Sequence, residues 1–261
     1  MKKTIFAIVI ALIVTYLLIG SFLYFSQASL LYFPTEQNFD ECIGFEDYEK
    51  KSKMGTRFYF KNNSQDTLIV YYHGNAGSAC DRSRFKHVFE ESGASLLFVE
   101  YAGYSNDDVK PSRDLILKDV ENIHQFILES NYKNIVLYGQ SIGSGAASYY
   151  ASLGGVNHMI LVTPFSKLVN VAQSKYKIYP ANILLKERYD NVEWLKNYNN
   201  SLTIIHGSED GIVPSRFSQQ LFDETSTLNK SYILIDGRGH NDIWLSPEFQ
   251  NTVKEYINTV E

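Results

Sequence analysis

The chain has 261 residues, a formal net charge of −5 and 44% hydrophobic residues. It is too apolar for a disordered chain and long enough for one well-buried α/β domain. No basic stripe or Lys/Arg run is present, which argues against nucleic acid as a partner. The 19 Tyr and 16 Phe suit strands and core, or an aromatic-lined apolar pocket.

Lys2 and Lys3 precede an uncharged apolar run over 4–25, long enough to span a bilayer as a helix. Residues 1–28 are therefore expected to be a transmembrane anchor. A cleaved signal peptide with Ser26-Gln27-Ala28 at its cleavage site is the alternative. No cysteine sits there, so a lipoprotein signal is absent. The two lysines place the N-terminus in the cytoplasm and the remainder outside, at the plasma (inner) membrane. "QASLLYFPTEQ" reads as a membrane-proximal connector. A single domain over 29–261 follows, with no repeats or low-complexity tracts.

"RFYFK", "DTLIVYYHG" and "ASLLFVEYAG" read as strands and "DRSRFKHVFEES" as a helix. In 113–130, Ile116, Val120, Ile123 and Ile127 fall at helical spacing. "NIVLYG" is a strand leading into a small-residue helix, and "HMILVTPF" is another strand. Residues 165 to about 191 read as irregular. "LTIIHGS", a helix "PSRFSQQLFDE", "SYILID" and a closing helix over 247–260 complete the chain. Apolar strands alternating with helices imply a mostly parallel sheet covered on both faces, with right-handed connections.

The chemistry centres on Gly139-Gln140-Ser141-Ile142-Gly143, at a strand-to-helix junction. G-x-S-x-G there is the nucleophile elbow of α/β hydrolases. Gly139 and Gly143 allow a sharp turn, and Gly145, Ala146 and Ala147 let the helix approach the sheet. A bland Gly-rich turn with a spectator serine is the competing interpretation. A serine needs a base, and the fold's order of nucleophile, acid and histidine requires a late one. Of the six histidines only His240, in "LIDGRGHNDIW", meets both demands. The acid is expected in "HGSEDGIVP", with Asp210 favoured over Glu209. Asp236 and Asp242 flank His240 too closely to orient it. Oxyanion donors are expected from the N–H of Ile142 and from "HGNAGS", where Asn75 is preferred and Ala76 is second. Cys42 and Cys80 match no metal or redox motif. One disulfide or two buried thiols remain open.

Together "YYHGNAGS", "VEYAGYS", "LYGQSIGSG", "LVTPFSKL", "HGSEDGIVP", "DGRGHNDIW" and the "LLYFP" after the anchor resemble the bud-emergence-type (Bem-like) membrane-anchored serine hydrolases. These are related to the α/β-hydrolase-domain depalmitoylases, and the likeness covers about 30–260. It implies an α/β-hydrolase fold with a small or absent cap, and carries Ser141, Asp210 and His240 over as the catalytic triad. One departure is Ala102, where the family commonly has Arg. The expected activity is cleavage of an ester or thioester of a small-molecule or lipid-like acyl substrate, with no cofactor and no metal. A peptidase on the same fold and a non-catalytic binding protein are the rivals.

Overall fold

The computed structural model describes residues 1–64 and 66–258. Its centre is an eight-stranded sheet: β1 (Glu49–Lys53), β2 (Thr56–Lys61), β3 (Thr67–Tyr72), β4 (Ser95–Glu100), β5 (Asn134–Gln140), β6 (His158–Val162), β7 (Ser201–Gly207) and β8 (Lys230–Ile235). The strand order is β8-β7-β6-β5-β3-β4-β2-β1. From β8 through β4 the pairing is parallel, and β2 and β1 run antiparallel at one edge. β3 and β4 are buried at every position, as parallel strands between two layers must be.

Edge strand β1, "EKKSK", carries no apolar signal and is absent from the sequence reading. Charge suits an edge, where it discourages pairing with other chains. A tight turn joins it to β2 through Met54 (φ 51°) and Gly55 (φ 92°), the left-handed pair that a two-residue hairpin uses.

Among the helices, α1 spans Lys2–Phe25, α2 Gln27–Leu31, α3 Lys86–Glu90, α4 Arg113–Leu128 and α5 Gly143–Leu153. In α4 the four regularly spaced isoleucine and valine positions are all buried, and Ser112 Oγ caps it by accepting from Leu115 N–H at 3.3 Å. The single helix expected over 81–92 is instead a 3-10 turn, Cys80–Phe85, followed by α3. That turn is tied down by a Cys42–Cys80 disulfide and by buried Arg82, which donates to the Ala76 carbonyl.

The stretch expected to be irregular forms α6 (Leu168–Lys175) and α7 (Ala181–Leu184), a small cap over the carboxyl ends of the strands. Both are short, and Pro180 ends the path between them, so periodicity barely registers. Then follow α8 (Asn191–Leu195), α9 (Arg216–Glu224) and α10 (Pro247–Asn258). Positions 259–260 of the expected closing helix lie outside the described residues.

α1 is 24 residues long and holds an 18-residue window of mean hydropathy 2.7, long and apolar enough to cross a membrane. It is not free of the domain. Gln27 is buried and donates to the Tyr24 and Leu184 carbonyls, both at 2.8 Å. Its Oε1 accepts from Lys186 N–H at 2.6 Å and Glu187 N–H at 3.4 Å. One side chain thereby satisfies four backbone groups and locks the end of α1 to the cap.

Candidate active site

β3 and β5 are neighbours, and the chain leaves them toward opposite ends of the sheet. A crevice therefore opens at their carboxyl ends, where ligands bind in open α/β sheets. Ser141 follows β5 there with φ 53°, a left-handed conformation rare outside glycine. Ser141 N–H donates to the Val162 carbonyl at 2.9 Å, and its own carbonyl accepts from Ser144 N–H and Oγ at 2.9 and 2.6 Å. The surrounding glycines are dictated by contact. A Cβ on Gly143 would lie 2.2 Å from the Tyr72 carbonyl oxygen, and one on Gly139 would lie 2.6 Å from that of Gly143.

Asp210 follows β7 and His240 follows β8, so two paired strands bring them together. His240 Nδ1–H donates to Asp210 Oδ2 at 2.6 Å. That leaves the Nε2 lone pair facing Ser141, whose Oγ–H donates to it at 2.9 Å. Asp210 Oδ1 accepts from the N–H groups of Ile212 and Val213, both at 2.8 Å. Burial pushes the Asp210 carboxyl up. Hydrogen bonds from His206 and His240 and from Val213 N–H, with the charge of His240, outweigh it and hold the group well below the carboxylate range. An imidazole oriented this way can take the serine proton and be stabilised as the cation.

Glu209 is exposed, and its N–H donates to the Arg238 carbonyl at 2.9 Å. Asp236 accepts from Ser208 Oγ and Asp242 from Gly239 N–H. His87 is exposed, His124 packs edge-on against Tyr150, and His158 bonds Thr203.

The "HGNAG" loop runs beside the serine: a Cβ on Gly74 would stand 3.7 Å from Ser141 Cβ. Buried His73 donates from Nδ1 to the Gly74 carbonyl at 2.7 Å. In a trans peptide this turns the Asn75 N–H the opposite way. The Asn75 carbonyl is fixed by Phe33 N–H at 2.9 Å and Tyr104 Oη–H at 2.8 Å. Asn75, Ala76, Ile142 and His240 line one cavity with Ser141. Ala102 is not on that cavity; its N–H donates to Asp119 at 2.7 Å.

The cavity measures about 470 Å³ and is walled by apolar side chains of the cap, such as Phe165, Leu168 and Leu184, and by Leu23, Leu30 and Leu31 of the N-terminal segment. Its size falls in the range of small-molecule sites.

No family model matches the chain. An uncharacterized protein of Mycobacterium tuberculosis is 25% identical over 234 residues, 85% of this chain and 83% of its own length. Alpha/beta hydrolase domain-containing protein 17C of Mus musculus is 24% identical over 224 residues, 83% of this chain and 67% of its own. Among solved structures, a Pyrococcus furiosus esterase superposes with a TM-score of 0.68 at 15% identity, covering 88% of this chain and 98% of that one. A Paleococcus ferrophilus monoacylglycerol lipase gives 0.62 at 15% identity, covering 80% and 100%. The chain has the α/β-hydrolase fold. Relative to that fold's elements, Ser141 lies on the strand-to-helix elbow after β5, and Asp210 and His240 lie on the loops after β7 and β8.

The site contains one residue that sequence reasoning set aside. His206 ends β7, fully buried, with Nε2 3.1 Å from Asp210 Oδ2 and 2.8 Å from the Val213 carbonyl. Its position four residues before Asp210, across a single turn, was the available signal.

Proposed function

We propose that the chain is a membrane-anchored serine hydrolase that cleaves carboxylic esters or thioesters. Residues 1–28 serve as anchor and 29–261 as the hydrolase domain. The observation that carries the reading is the continuous relay from Ser141 Oγ through His240 to Asp210, at 2.9 and 2.6 Å, beneath an apolar cavity. The ordered motifs and the likeness to domain-containing protein 17C support kinship with the bud-emergence-type hydrolases.

In this mechanism Ser141 Oγ attacks the acyl carbon as its proton passes to His240 Nε2. The developing oxyanion is received by the N–H groups of Asn75 and Ile142. The imidazolium then protonates the leaving alkoxide or thiolate, the C–O or C–S bond breaks, and an acyl-serine remains. Water delivers a proton to His240 as it attacks that ester. The carboxylic acid departs and Ser141 regains its proton. The cavity walls are mostly apolar, and Lys175, which also lines the cavity, donates from its ammonium to the Gly211 carbonyl at 3.2 Å. Such walls suit an acyl chain rather than a charged peptide.

Lys2 and Lys3 favour a cytoplasmic N-terminus with the domain outside the plasma membrane. The Cys42–Cys80 disulfide supports that side, since such bonds persist in oxidising compartments. A fluorophosphonate probe should label wild type and not Ser141→Ala, and p-nitrophenyl esters of graded chain length should be turned over. Equal labelling of both proteins would remove Ser141 from the mechanism.

A further inference from the structure

We propose that the cap carrying α6 and α7 is immersed in the outer leaflet, and that the cavity over Ser141 is filled from the bilayer by an acyl amphiphile resident there. The inference deepens the reading of α1 as a spanning anchor and rests on it.

The depth follows from where α1 meets the domain. Contact is made in mid-helix, well before its end. The Tyr16 ring stacks on Tyr179 with centroids 4.6 Å apart and planes 8° from parallel. Tyr16 Oη–H donates to the Ile178 carbonyl at 3.0 Å, and Tyr179 Oη–H donates to the Tyr16 carbonyl at 3.3 Å. One turn on, a Cβ at Gly20 would stand 3.3 Å from the Tyr179 ring, so the bare glycine permits the approach.

Lys2 and Lys3 keep their ammonium groups out of hydrocarbon, which therefore begins near Thr4. At about 1.5 Å per residue, Tyr16 lies about 18 Å into a slab about 30 Å thick, and Leu23 about 28 Å. Groups that touch Tyr16 then sit about 12 Å below the outer boundary of the hydrocarbon. Those groups are Ile178 and Tyr179. Tilting the helix sets them deeper still.

The cap's surface fits that position. Ile178 is 73% exposed and Ile183, on α7 beside α1, is 70% exposed. Neither packs on the core, and both continue the bare apolar face of α1. One nearby cation sits at the right height: Lys186 Nζ lies 4.3 Å over the Tyr24 ring, at the helix's outer end. Tyr179 both touches Tyr16 and lines the cavity, and Leu23 lines it too. The mouth therefore lies at and below the lipid boundary. An acyl chain can rise into it without crossing water, its polar carboxyl end leading toward Ser141.

The test uses the full chain in phosphatidylcholine vesicles with brominated or plain acyl chains. Ile178→Trp, Ile183→Trp and, as an anchor control, Leu12→Trp are compared with wild type, whose Trp194 and Trp244 give the background. Bromine should remove about half or more of the added emission at 178 and 183, as at 12. Quenching at 12 with none at 178 and 183 overturns the inference and leaves the anchor standing. No quenching at 12 overturns both.

In a second arm, Ile178→Asn and Ile183→Asn, neither on the cavity, should leave p-nitrophenyl acetate turnover unchanged. Turnover of a vesicle-embedded long-chain ester should fall about tenfold, a polar side chain being costly at that depth. An unchanged rate on the embedded ester overturns entry from the bilayer. Absence of any ester turnover by wild type, with quenching intact, would remove the hydrolase reading and not the immersion.

Discussion

His206 Nε2 stands 3.1 Å from Asp210 Oδ2, the same oxygen that His240 Nδ1 meets at 2.6 Å. One carboxylate thus lies between two imidazoles, while its other oxygen is held by two backbone N–H groups. In the proposed mechanism His206 acts as a positioning residue for Asp210. His206→Phe keeps the ring and deletes the donor. It should lower kcat about ten- to a hundredfold with KM little changed. His206→Gln, whose Nε2 can replace the ring donor, should restore most of the rate. A kcat loss that the Gln variant does not restore would mark His206 as packing alone.

Ser141→Ala should abolish ester turnover, a loss of about 10⁴–10⁶ in rate, with melting behaviour preserved. Asp210→Asn should cost about 10⁴ through the wrong His240 tautomer. Glu209→Gln, altering an exposed side chain, should cost little. Steady-state kinetics on a p-nitrophenyl ester gives the ranking, and the reverse order would move the acid to Glu209.

Gly143→Ala should compromise folding, because its Cβ would meet the Tyr72 carbonyl oxygen at 2.2 Å and both partners are backbone. Gly211→Ala is the control: nothing lies within 4 Å of its Cβ and its φ is not left-handed. A thermal melt in detergent should separate the two. Equal stability would show that the elbow relaxes more freely than its contacts imply.

Replacing Cys42 and Cys80 together by Ala should cost about 3–4 kcal/mol in the chain-entropy account, given a sequence separation of 38. Thiol trapping under denaturing conditions should find no free thiol in the protein isolated without reductant. A reductant should lower the melting temperature of wild type and leave the double variant where it is.

Asp119 is buried beneath Ala102 and Thr56, accepting from Ala102 N–H at 2.7 Å and Thr56 Oγ–H at 2.6 Å. Burial, opposed by those two hydrogen bonds, pushes its carboxyl up to about 6. A raised carboxyl binds its proton more tightly in the folded chain. Its contribution is therefore full below about pH 4 and is lost as pH rises through about 6. Asp119→Asn removes that titration. The melting-temperature difference, wild type minus variant, should fall between pH 4 and pH 6.5; a constant difference would contradict the raised value.

Strands β3 through β8 were legible because each is apolar on both faces and ends in a glycine or a polar turn. The elbow was legible for the same reason: Gly139, Gly143 and Gly145 have no role except to let atoms approach, and the contacts at 143 and 139 show which atoms. What escaped was written in weaker terms. β1 is lysine-rich because it is an edge, so its composition conceals it. α6 and α7 are too short for a 3.6-residue period to emerge. Gln27 read as part of a connector or a cleavage site, yet its amide joins α1 to the cap. His206 was visible as a strand-ending histidine, but its contact with Asp210 depends on the turn between them.

The four backbone contacts of Gln27 also bear on kinetics. A domain on a slack tether would sweep a hemisphere and sample solutes at their bulk concentration. If α1 spans the membrane as proposed, the joint holds the site at one height and one facing, and the site travels only by lateral diffusion. Its substrate would then be counted per unit area. Rates should follow the mole fraction of ester among the lipids and fall on dilution with inert lipid, while adding more vesicles of the same composition changes nothing.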